Sequence, residues 1–340
     1  MNVLEYIARR LLLGIFVLIS VVTITFVLSH SVGGNPIIAW LGRAASLHPA
    51  LAAQYAEKYH LNSPIVVQYY YYIVNLLQGN LGYSPSRGFL PVSEVIADTL
   101  PYTLQIAVFS FLISILIGIT LGVLSARYYQ KPIDQGITTF YLTGTSSPPF
   151  FIGLLFLIIF TLELGILPSG GAADPALPLP LPITRIPMLD SLLEGDFAYF
   201  SSALVHLILP STTLALGTFG FITRVLRSSM LEVMQSNYIR TARAKGLDEK
   251  TVFLKHGLRN AIIPVVTLSS LVFTWLITGT IFVENIFAYP GLGQYVVRAL
   301  AGQDYPGILA TTLIFAVIIV VSNLVVDILY VVVDPQIRLG

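Results

Sequence analysis

Six long uncharged stretches dominate the pattern of hydrophobic and polar residues along this chain. They are Leu11–Ser29, Thr99–Ala126, Gln135–Leu162, Phe197–Thr223, Asn260–Val283 and Tyr305–Val326. A helix needs about 20 apolar residues to cross a hydrocarbon core, and each stretch is long enough. Because lipid offers no partner to backbone polar groups, a run that crosses it must be helical. The pattern therefore predicts an all-α integral membrane protein with six transmembrane helices.

Proline positions predict where these helices are interrupted. Pro148 and Pro149 lie within the third stretch, and Pro210 lies within the fourth. Proline lacks an N–H and its ring clashes with the preceding turn, so we expect each site to bend or break its helix. The sixth stretch is expected to continue past Asp327 to Val333.

The segments between the spans differ in size and character. Residues 30–98 contain several Gly and Pro breakers around two short predicted helices, Ala50–Tyr59 and Ile65–Leu77. The second helix contains the run Tyr69–Tyr72, which is typical of a membrane interface and is also suited to stacking on sugars. Residues 165–196 are rich in Pro and Gly, so we expect a stiff extended segment there without a core of its own.

Composition agrees with a membrane protein. Of the 340 residues, 55% are hydrophobic and only 10% are charged, whereas soluble domains carry about 25% charged residues. A net charge of +1 gives no case for nucleic-acid binding, and the absence of cysteine excludes disulfides, iron–sulfur clusters and thiolate zinc sites. The first apolar run follows Arg9 and Arg10 as in a signal peptide. It is longer than a signal-peptide core of roughly 7–15 residues and lacks a clear cleavage site, so we interpret it as a retained helix.

The distribution of positive charge predicts the orientation of the chain. With the N-terminus inside, 13 of the 18 Lys and Arg residues fall in cytoplasmic segments, as the positive-inside rule requires. Six spans then place both termini in the cytoplasm of a multi-pass protein of the plasma membrane. The predicted organisation is a first helix in residues 1–31, an extracytoplasmic region in residues 32–98, and a five-helix core in residues 99–340.

The most basic part of the chain is Tyr238–Pro264, which carries six of the 18 Lys and Arg residues. Residues 228–245 are expected to continue the fourth span as a helix, with Gly246 in a left-handed turn at its end. Asp248 is a candidate N-cap for a second helix over Glu249–Leu258. Two interpretations fit this shape. Either the segment inserts into a groove of a partner protein, or it is a basic loop that follows the topology and binds lipid headgroups.

Several separated motifs resemble a known family. YIRTARAKGL (238–247) with LKHGLRNAIIPVVT (254–267) resembles the cytoplasmic "EAA" loop of bacterial and archaeal ABC importer permeases, and more closely that of the dipeptide/oligopeptide permease family. GTIFVENIFAYPGLGQYVVRAL (279–300), SSPPFFIGLLF (146–156) and DPQIRLG (334–340) are similar to other motifs of that family, in the same order. The resemblance covers essentially the whole chain and implies a type I ABC importer permease fold.

The resemblance makes residues 228–262 a cytoplasmic coupling loop that docks on an ATP-binding subunit. The wider signature has Glu-Ala-Ala before a glycine. This chain has Arg240, Thr241 and Ala242 at the matching positions before Gly246, and the loss of the Glu agrees with the peptide-permease branch. By position, the docking residues implied are Arg240, Thr241, Ala242, Lys245, Gly246, Leu247, Asp248 and Val252. Among them, Leu247 and Val252 are expected to offer apolar contacts beside a basic face.

The resemblance also implies the partners. They are a second homologous permease subunit, two ATP-binding subunits that hold ATP and Mg²⁺, and an extracellular substrate-binding protein. We expect no cofactor in this chain itself. It contains no Gly-Lys dipeptide and hence no Walker A P-loop, and it shows neither a nucleophile elbow nor an HExxH helix. We therefore expect that it is not an enzyme by itself.

The substrate and its path are less constrained by the sequence. Gln105, Ser146 and Thr278 are path candidates, expected in the inner halves of spans two, three and five. The alternative for each is an ordinary interhelical hydrogen bond. Members of the resembled family carry dipeptides, oligopeptides, nickel chelates or oligosaccharides. We expect peptides, with oligosaccharides as the alternative.

The sequence agrees less well with two other classes of function. An ion-coupled secondary carrier or channel requires ionisable groups near the middle of the membrane, but Glu163, His206 and Asp327 all lie near span ends, where a structural role is expected. A receptor or scaffold is compatible with the large outer region but leaves the basic loop unexplained. The sequence therefore favours the ABC permease.

Overall fold

The computed structural model describes the backbone of residues 3–33, 49–58 and 60–333. The predictions for the terminal motif 334–340, and for the side chain of Asp327, lie outside the described part of the chain. The described residues are mostly helical, as the uncharged stretches predict.

The helices, in chain order, are α1 (Val3–Gly33), α2 (Pro49–Lys58), α3 (Ile65–Leu77), α4 (Val92–Arg127), α5 (Pro132–Ser146), α6 (Pro149–Phe156), α7 (Pro187–Glu194), α8 (Phe197–Val233), α9 (Asn237–Ala244), α10 (Glu249–Thr251), α11 (Arg259–Ala261), α12 (Ile263–Ile286), α13 (Leu292–Gly302) and α14 (Tyr305–Val333). Turns of π-helix extend α6 over Leu157–Glu163 and join α10 to α11 over Val252–Leu258. Strands β1 (Tyr83–Ser84) and β2 (Leu90–Pro91) pair antiparallel in a short hairpin, with Tyr83 opposite Pro91.

Five of the described helices are long and apolar enough to cross a membrane: α1, α4, α8, α12 and α14. The predicted third span is instead a broken one, because α5 and α6 qualify only as a pair and are bent by 104°. The bend lies at Ser147–Pro148, where Pro148 and Pro149 cannot continue the hydrogen-bond ladder of α5. The six predicted spans are thus present when the bent pair counts as one.

Pro210 does not break its helix, so a break at this site, one of the two predicted effects, is wrong. Helix α8 runs without interruption from Phe197 to Val233. Of its apolar span, 67% is buried inside the protein, so neighbouring helices cover most of it. Surrounding helices and hydroxyl side chains let buried helices tolerate proline; here the Thr212 and Thr213 hydroxyls donate to carbonyls of the preceding turn.

Helix α8 is the centre of the bundle, and small residues let α4 approach it closely. A Cβ added to Gly118 would lie 2.7 Å from Ile222, and one added to Gly122 would lie 3.0 Å from Leu226. Between these helices the Ser114 and Thr218 hydroxyls lie 2.7 Å apart. Small residues and buried hydroxyls are typical of helix contacts in membranes, where close packing rather than water exclusion drives association.

The tyrosine run of α3 packs mainly inside the protein. Tyr72 is buried and stacks on Phe26 of α1 at 5.4 Å between ring centroids. The Tyr69 hydroxyl lies 2.7 Å from that of Thr23, also on α1. Tyr70 exposes 63% of its surface. The contacts of Tyr69 and Tyr72 therefore explain half of the run by packing, with no need for a sugar ligand.

The segment before α8 is more ordered than its composition predicts. Residues 187–194 form α7, in which Met188 and Asp190 are buried, so the expectation of an extended segment without a core is wrong there. The Asp190 carboxylate accepts from the Thr184 N–H at 2.7 Å, and the Gly171 N–H donates to the Phe287 carbonyl at 2.9 Å. Met188 joins the main apolar cluster, because this segment closes one end of the bundle.

Candidate coupling interface

The coupling loop begins with a break that the sequence did not predict. A continuous helix was expected over residues 228–245, but α8 ends at Val233 and α9 begins at Asn237. Ser236 takes an extended conformation between them, with ψ at 155°, and its hydroxyl donates to the Val233 carbonyl at 2.7 Å. Serine commonly competes for backbone partners in this way at helix ends. The turn lets α9 fold back and bury Ile239 completely.

Three buried side chains give the coupling loop a small core of its own. Ile239 and Ala242 of α9 pack against Val252 of the second loop helix, with Met234 beside them. Val252 exposes none of its surface. The expectation that Val252 offers an apolar contact to a partner is therefore wrong for this conformation, as is any direct contact through buried Ala242. Both side chains instead hold the two helices of the loop together.

The tip of the coupling loop has the geometry predicted for it. Gly246 is left-handed, with φ at +78°, and its N–H donates to the Arg243 carbonyl at 2.9 Å. A Cβ at this position would meet nothing within 4 Å, so glycine is required by backbone conformation and not by space. Leu247 follows with 41% of its surface exposed. An apolar side chain is thus presented at the turn between two helices.

Asp248 caps the second loop helix, as predicted. Its carboxylate accepts from the Thr251 N–H at 3.2 Å, and its hydrogen bonds with Thr251 lower the pKa of this carboxyl below its ordinary value. The predicted helix over residues 249–258 is present, but most of it is wound as π-helix. An ion pair that the sequence analysis missed joins the two loop helices, from Arg243 Nε to Glu249 Oε1 at 2.7 Å.

The remaining docking candidates lie on the surface of the loop. Arg240, Thr241 and Lys245 are exposed on α9 and at its end, and the Thr241 hydroxyl donates to the Asn237 carbonyl. Together with Leu247 they give an exposed surface that is basic around one apolar residue. Such a surface is suited to an acidic groove with an apolar floor.

The three path candidates do not form one site. Gln105 is buried, and its side-chain N–H donates to the Met188 sulfur. The Tyr289 hydroxyl donates to the side-chain amide oxygen of Gln105. Ser146 is exposed at the end of α5, beside the bend. Thr278 and other residues of α12 line an open cleft of about 370 Å³, together with Pro149 of α6. Gln105 and Thr278 lie in the halves of their helices away from the coupling loop, which disagrees with inner halves for a loop on the cytoplasmic side.

A buried ion pair at the coupling-loop end was also missed by the sequence analysis. Asp134, at the start of α5, binds Arg227 of α8 through two hydrogen bonds of 2.8 Å. The Ser125 hydroxyl and the Gln130 N–H also donate to this carboxylate. The pair joins α5 and the end of α4 to the helix that leads into the coupling loop. Its members are 93 positions apart in the sequence, so no local pattern identifies them.

A second buried carboxylate explains glycines in the motif 279–300. Glu284 is fully buried, and it accepts from the Thr103 hydroxyl at 2.7 Å and from the Gln294 N–H at 3.0 Å. A Cβ on Gly291 would lie 2.4 Å from the carboxyl carbon of Glu284, and one on Gly293 would lie 2.9 Å from its Oε2. These glycines leave room for the carboxylate at the start of α13, where it joins α12, α13 and α4.

Comparison with known proteins assigns the family. Residues 118–339 match the family described as "Binding-protein-dependent transport system inner membrane component", and residues 3–107 match the N-terminal domain of such components. The chain belongs to this family. It is therefore a permease subunit of the binding-protein-dependent type and an integral membrane protein.

Relatives of this permease match along their whole length. The oligopeptide transport system permease protein AppB of Bacillus subtilis is 40% identical, over 98% of this chain and 99% of the relative. The probable D,D-dipeptide transport system permease protein DdpB of Escherichia coli is 39% identical, over 96% and 95%. The dipeptide transport system permease protein DppB of Alkalihalophilus pseudofirmus is also 39% identical, over 98% and 99%.

The fold of the permease resembles solved ABC transporter structures. An inward-facing structure of the MetNI methionine ABC transporter superposes with a TM-score of 0.53 at 17% identity, over 71% of this chain and 96% of that one. At this identity the likeness shows the fold alone. It confirms the ABC permease fold expected from the sequence motifs.

Proposed function

We propose that this permease is one membrane-spanning subunit of an ATP-driven importer of peptides, and that its coupling loop is the contact with an ATP-binding subunit. The observation that carries the proposal is the construction of the loop. Ile239, Ala242 and Val252 form a small buried core, and the left-handed turn at Gly246 is followed by exposed Leu247. A loop that served topology alone would not require a core, a capped helix and an apolar tip.

The partners follow from the family and from the chemistry that the chain lacks. Without a Gly-Lys dipeptide it has no Walker A loop for a nucleotide. ATP and Mg²⁺ are therefore bound by two partner ATPase subunits, and the chain itself has no cofactor and is not an enzyme. A second homologous permease completes the path, and an extracellular binding protein delivers the substrate. Both termini face the cytoplasm of a bacterium or archaeon.

A cross-linking experiment tests the contact. Because the chain has no cysteine, Leu247→Cys introduces a unique thiol at the tip. Leu193→Cys introduces a control thiol at an exposed position of α7. In native membranes, a short thiol-to-amine cross-linker should join the Leu247→Cys variant to a subunit whose peptides, by mass spectrometry, include a Walker A sequence. The control should give no such product. Cross-linking that is equal at both positions, or absent at the tip, would contradict the docking role.

The same two variants test the orientation. In intact spheroplasts a membrane-impermeant maleimide should label Leu193→Cys and not Leu247→Cys, because only the former faces outward in the proposed topology. Permeabilised spheroplasts should label both. The reverse pattern would require the opposite orientation and would remove the contact with a cytoplasmic ATPase.

The peptide substrate is proposed from the relatives, which are named for oligopeptide and dipeptide transport. Oligosaccharides are the alternative, and one argument for them is reduced because Tyr69 and Tyr72 pack against α1. Uptake into vesicles that contain the assembled complex and its binding protein should be ATP-dependent, and unlabelled peptides should compete. Competition by oligosaccharides alone would reassign the substrate. Uptake by the single chain under an ion gradient, without ATP, would instead indicate a secondary carrier.

A further inference from the structure

A cleft of about 330 Å³ opens at the base of the coupling loop. It lies between the last turn of α4, the last turn of α8 and the second loop helix, and its lining includes Arg127 and Leu254. None of the residues assigned to docking lines it. The coupling loop therefore has two distinct surfaces, an exposed tip and a cleft at its base.

The walls of this basal cleft combine an apolar floor with a basic rim. The floor includes Met230, Leu231 and Phe253, and the rim carries Arg127, Arg243, Lys250 and Glu249. Three positive charges and one negative charge leave a formal excess of +2, and the single acid is already bound by Arg243 at 2.7 Å. The Arg127 guanidinium lies 5.8 Å from the centre of the Tyr128 ring. Within the described part of the chain, neither Arg127 nor Lys250 forms an ion pair.

The position of the cleft indicates which anion it holds. Arg127 is the last residue of the membrane span α4, so the rim lies where hydrocarbon gives way to headgroups. Leu124 and Leu254 line the cleft with 37% and 41% of their surface exposed, so part of its edge is apolar and accessible. Basic pockets between spans on the cytoplasmic side of a membrane are suited to the headgroups of acidic phospholipids.

We propose that this cleft binds the phosphate headgroup of an acidic phospholipid, with an acyl chain along Leu124 and Leu254. Arg127 and Lys250 contact the phosphate from opposite walls, one on the transmembrane core and one on the coupling loop. A bound lipid thus bridges the loop to the end of α4 and stabilises the loop in the position seen here. The two interpretations of the basic segment then apply to different surfaces: the tip docks on a protein, and the base binds lipid.

Native mass spectrometry of the purified full chain tests this proposal. The chain is titrated with phosphatidylglycerol and, separately, with phosphatidylcholine. Arg127→Gln/Lys250→Gln is compared with Lys255→Gln/Arg259→Gln, which removes the same charge from exposed positions of the loop outside the cleft. Each basic residue near an anionic surface contributes about 1 kcal/mol, so the cleft variant should bind phosphatidylglycerol about 30-fold more weakly, or about 2 kcal/mol. The control variant and the wild-type chain should bind it alike and prefer it to phosphatidylcholine.

Several outcomes would overturn the proposal. They are equal binding of the two lipids by the wild type, equal losses in the cleft and control variants, or a cleft variant that keeps its lipid but no longer binds the ATP-binding subunit in detergent. The last result would assign the cleft to a protein partner. If the double variant does not fold, Lys250→Gln against Lys255→Gln repeats the comparison with an expected loss of about fivefold. Because the readout is lipid binding, its failure is separate from any failure of the transport proposal.

Discussion

The ion pair between Asp134 and Arg227 leads to a quantitative prediction about how the bundle is held together next to the coupling loop. The carboxylate is 5% exposed and the guanidinium 24% exposed, and both hydrogen bonds between them measure 2.8 Å. The substitution Asp134→Asn keeps the size of the side chain and removes its charge. It leaves Arg227 half-enclosed without a counter-charge, and it leaves the Ser125 hydroxyl with a poorer acceptor.

The expected cost follows from the burial of the pair. Removing one partner of a fully buried ion pair costs about 3–5 kcal/mol, because the other charge stays desolvated. Arg227 keeps some contact with water, and the carbonyl oxygen of the new amide would still accept from the Gln130 N–H, so we expect about 2 kcal/mol. Arg227→Gln should cost a similar amount. The double variant should cost less than the sum of the two, with a coupling energy of about 1–2 kcal/mol.

Unfolding in detergent at increasing denaturant, followed by circular dichroism, measures these energies. Arg224→Gln is the control, since Arg224 lies one turn earlier on α8, is exposed, and forms no ion pair in the described part of the chain; its cost should stay within about 0.5 kcal/mol. Additive effects of Asp134→Asn and Arg227→Gln, or a cost equal to that of the control, would show that the pair does not join α5 to α8.

Further predictions concern individual glycines and the helix cap. Gly246→Val should destabilise the turn by about 1 kcal/mol or more and reduce ATP-driven uptake while each ATP-binding subunit still hydrolyses ATP; unchanged uptake would refute the docking role. Gly136→Ala, at an exposed helical site where a Cβ meets nothing within 4 Å, should stabilise the chain by about 0.5–1 kcal/mol in the same unfolding assay, and a loss of stability would contradict this. Gly220→Leu should reduce the yield of folded protein severely, because even a Cβ there would lie 2.5 Å from the Thr145 side chain and 3.1 Å from the Tyr141 carbonyl. A yield equal to that of Gly136→Ala would show that α5 and α8 are not tightly packed. Hydrogen bonds lower the folded-state pKa of Asp248. Its stabilisation of the loop helix is therefore present above the unfolded-state pKa and is lost as the pH falls through the folded-state pKa. Proteolysis within the loop should increase at acid pH, and Asp248→Asn should remove this pH dependence.

The sequence by itself determined the spans and the turn at the tip of the loop. Apolar length alone identified the candidate spans of the described residues, since a lone run of about 20 apolar residues satisfies its backbone in lipid as a helix. Pro148 correctly predicted the break between α5 and α6, because proline disrupts the hydrogen bonds of its own helix. A break at Pro210 was not found, because the same local rule takes no account of the packing around α8. Gly246 and Asp248 were predicted correctly because a left-handed turn and an N-cap depend on residues only a few positions apart.

Tertiary structure decided which side chains face inward and which carboxylates have partners. Val252 and Leu247 are both apolar residues of the loop, and only the folding back of α9 buries the first and exposes the second. The partners of Asp134 and Glu284 lie 93 and 181 positions away, so no periodicity could pair them. Where all faces of a helix are apolar, the pattern carries no information about which face meets which neighbour. Contacts between distant segments, such as those that form the basal cleft, therefore exist only once the chain has folded.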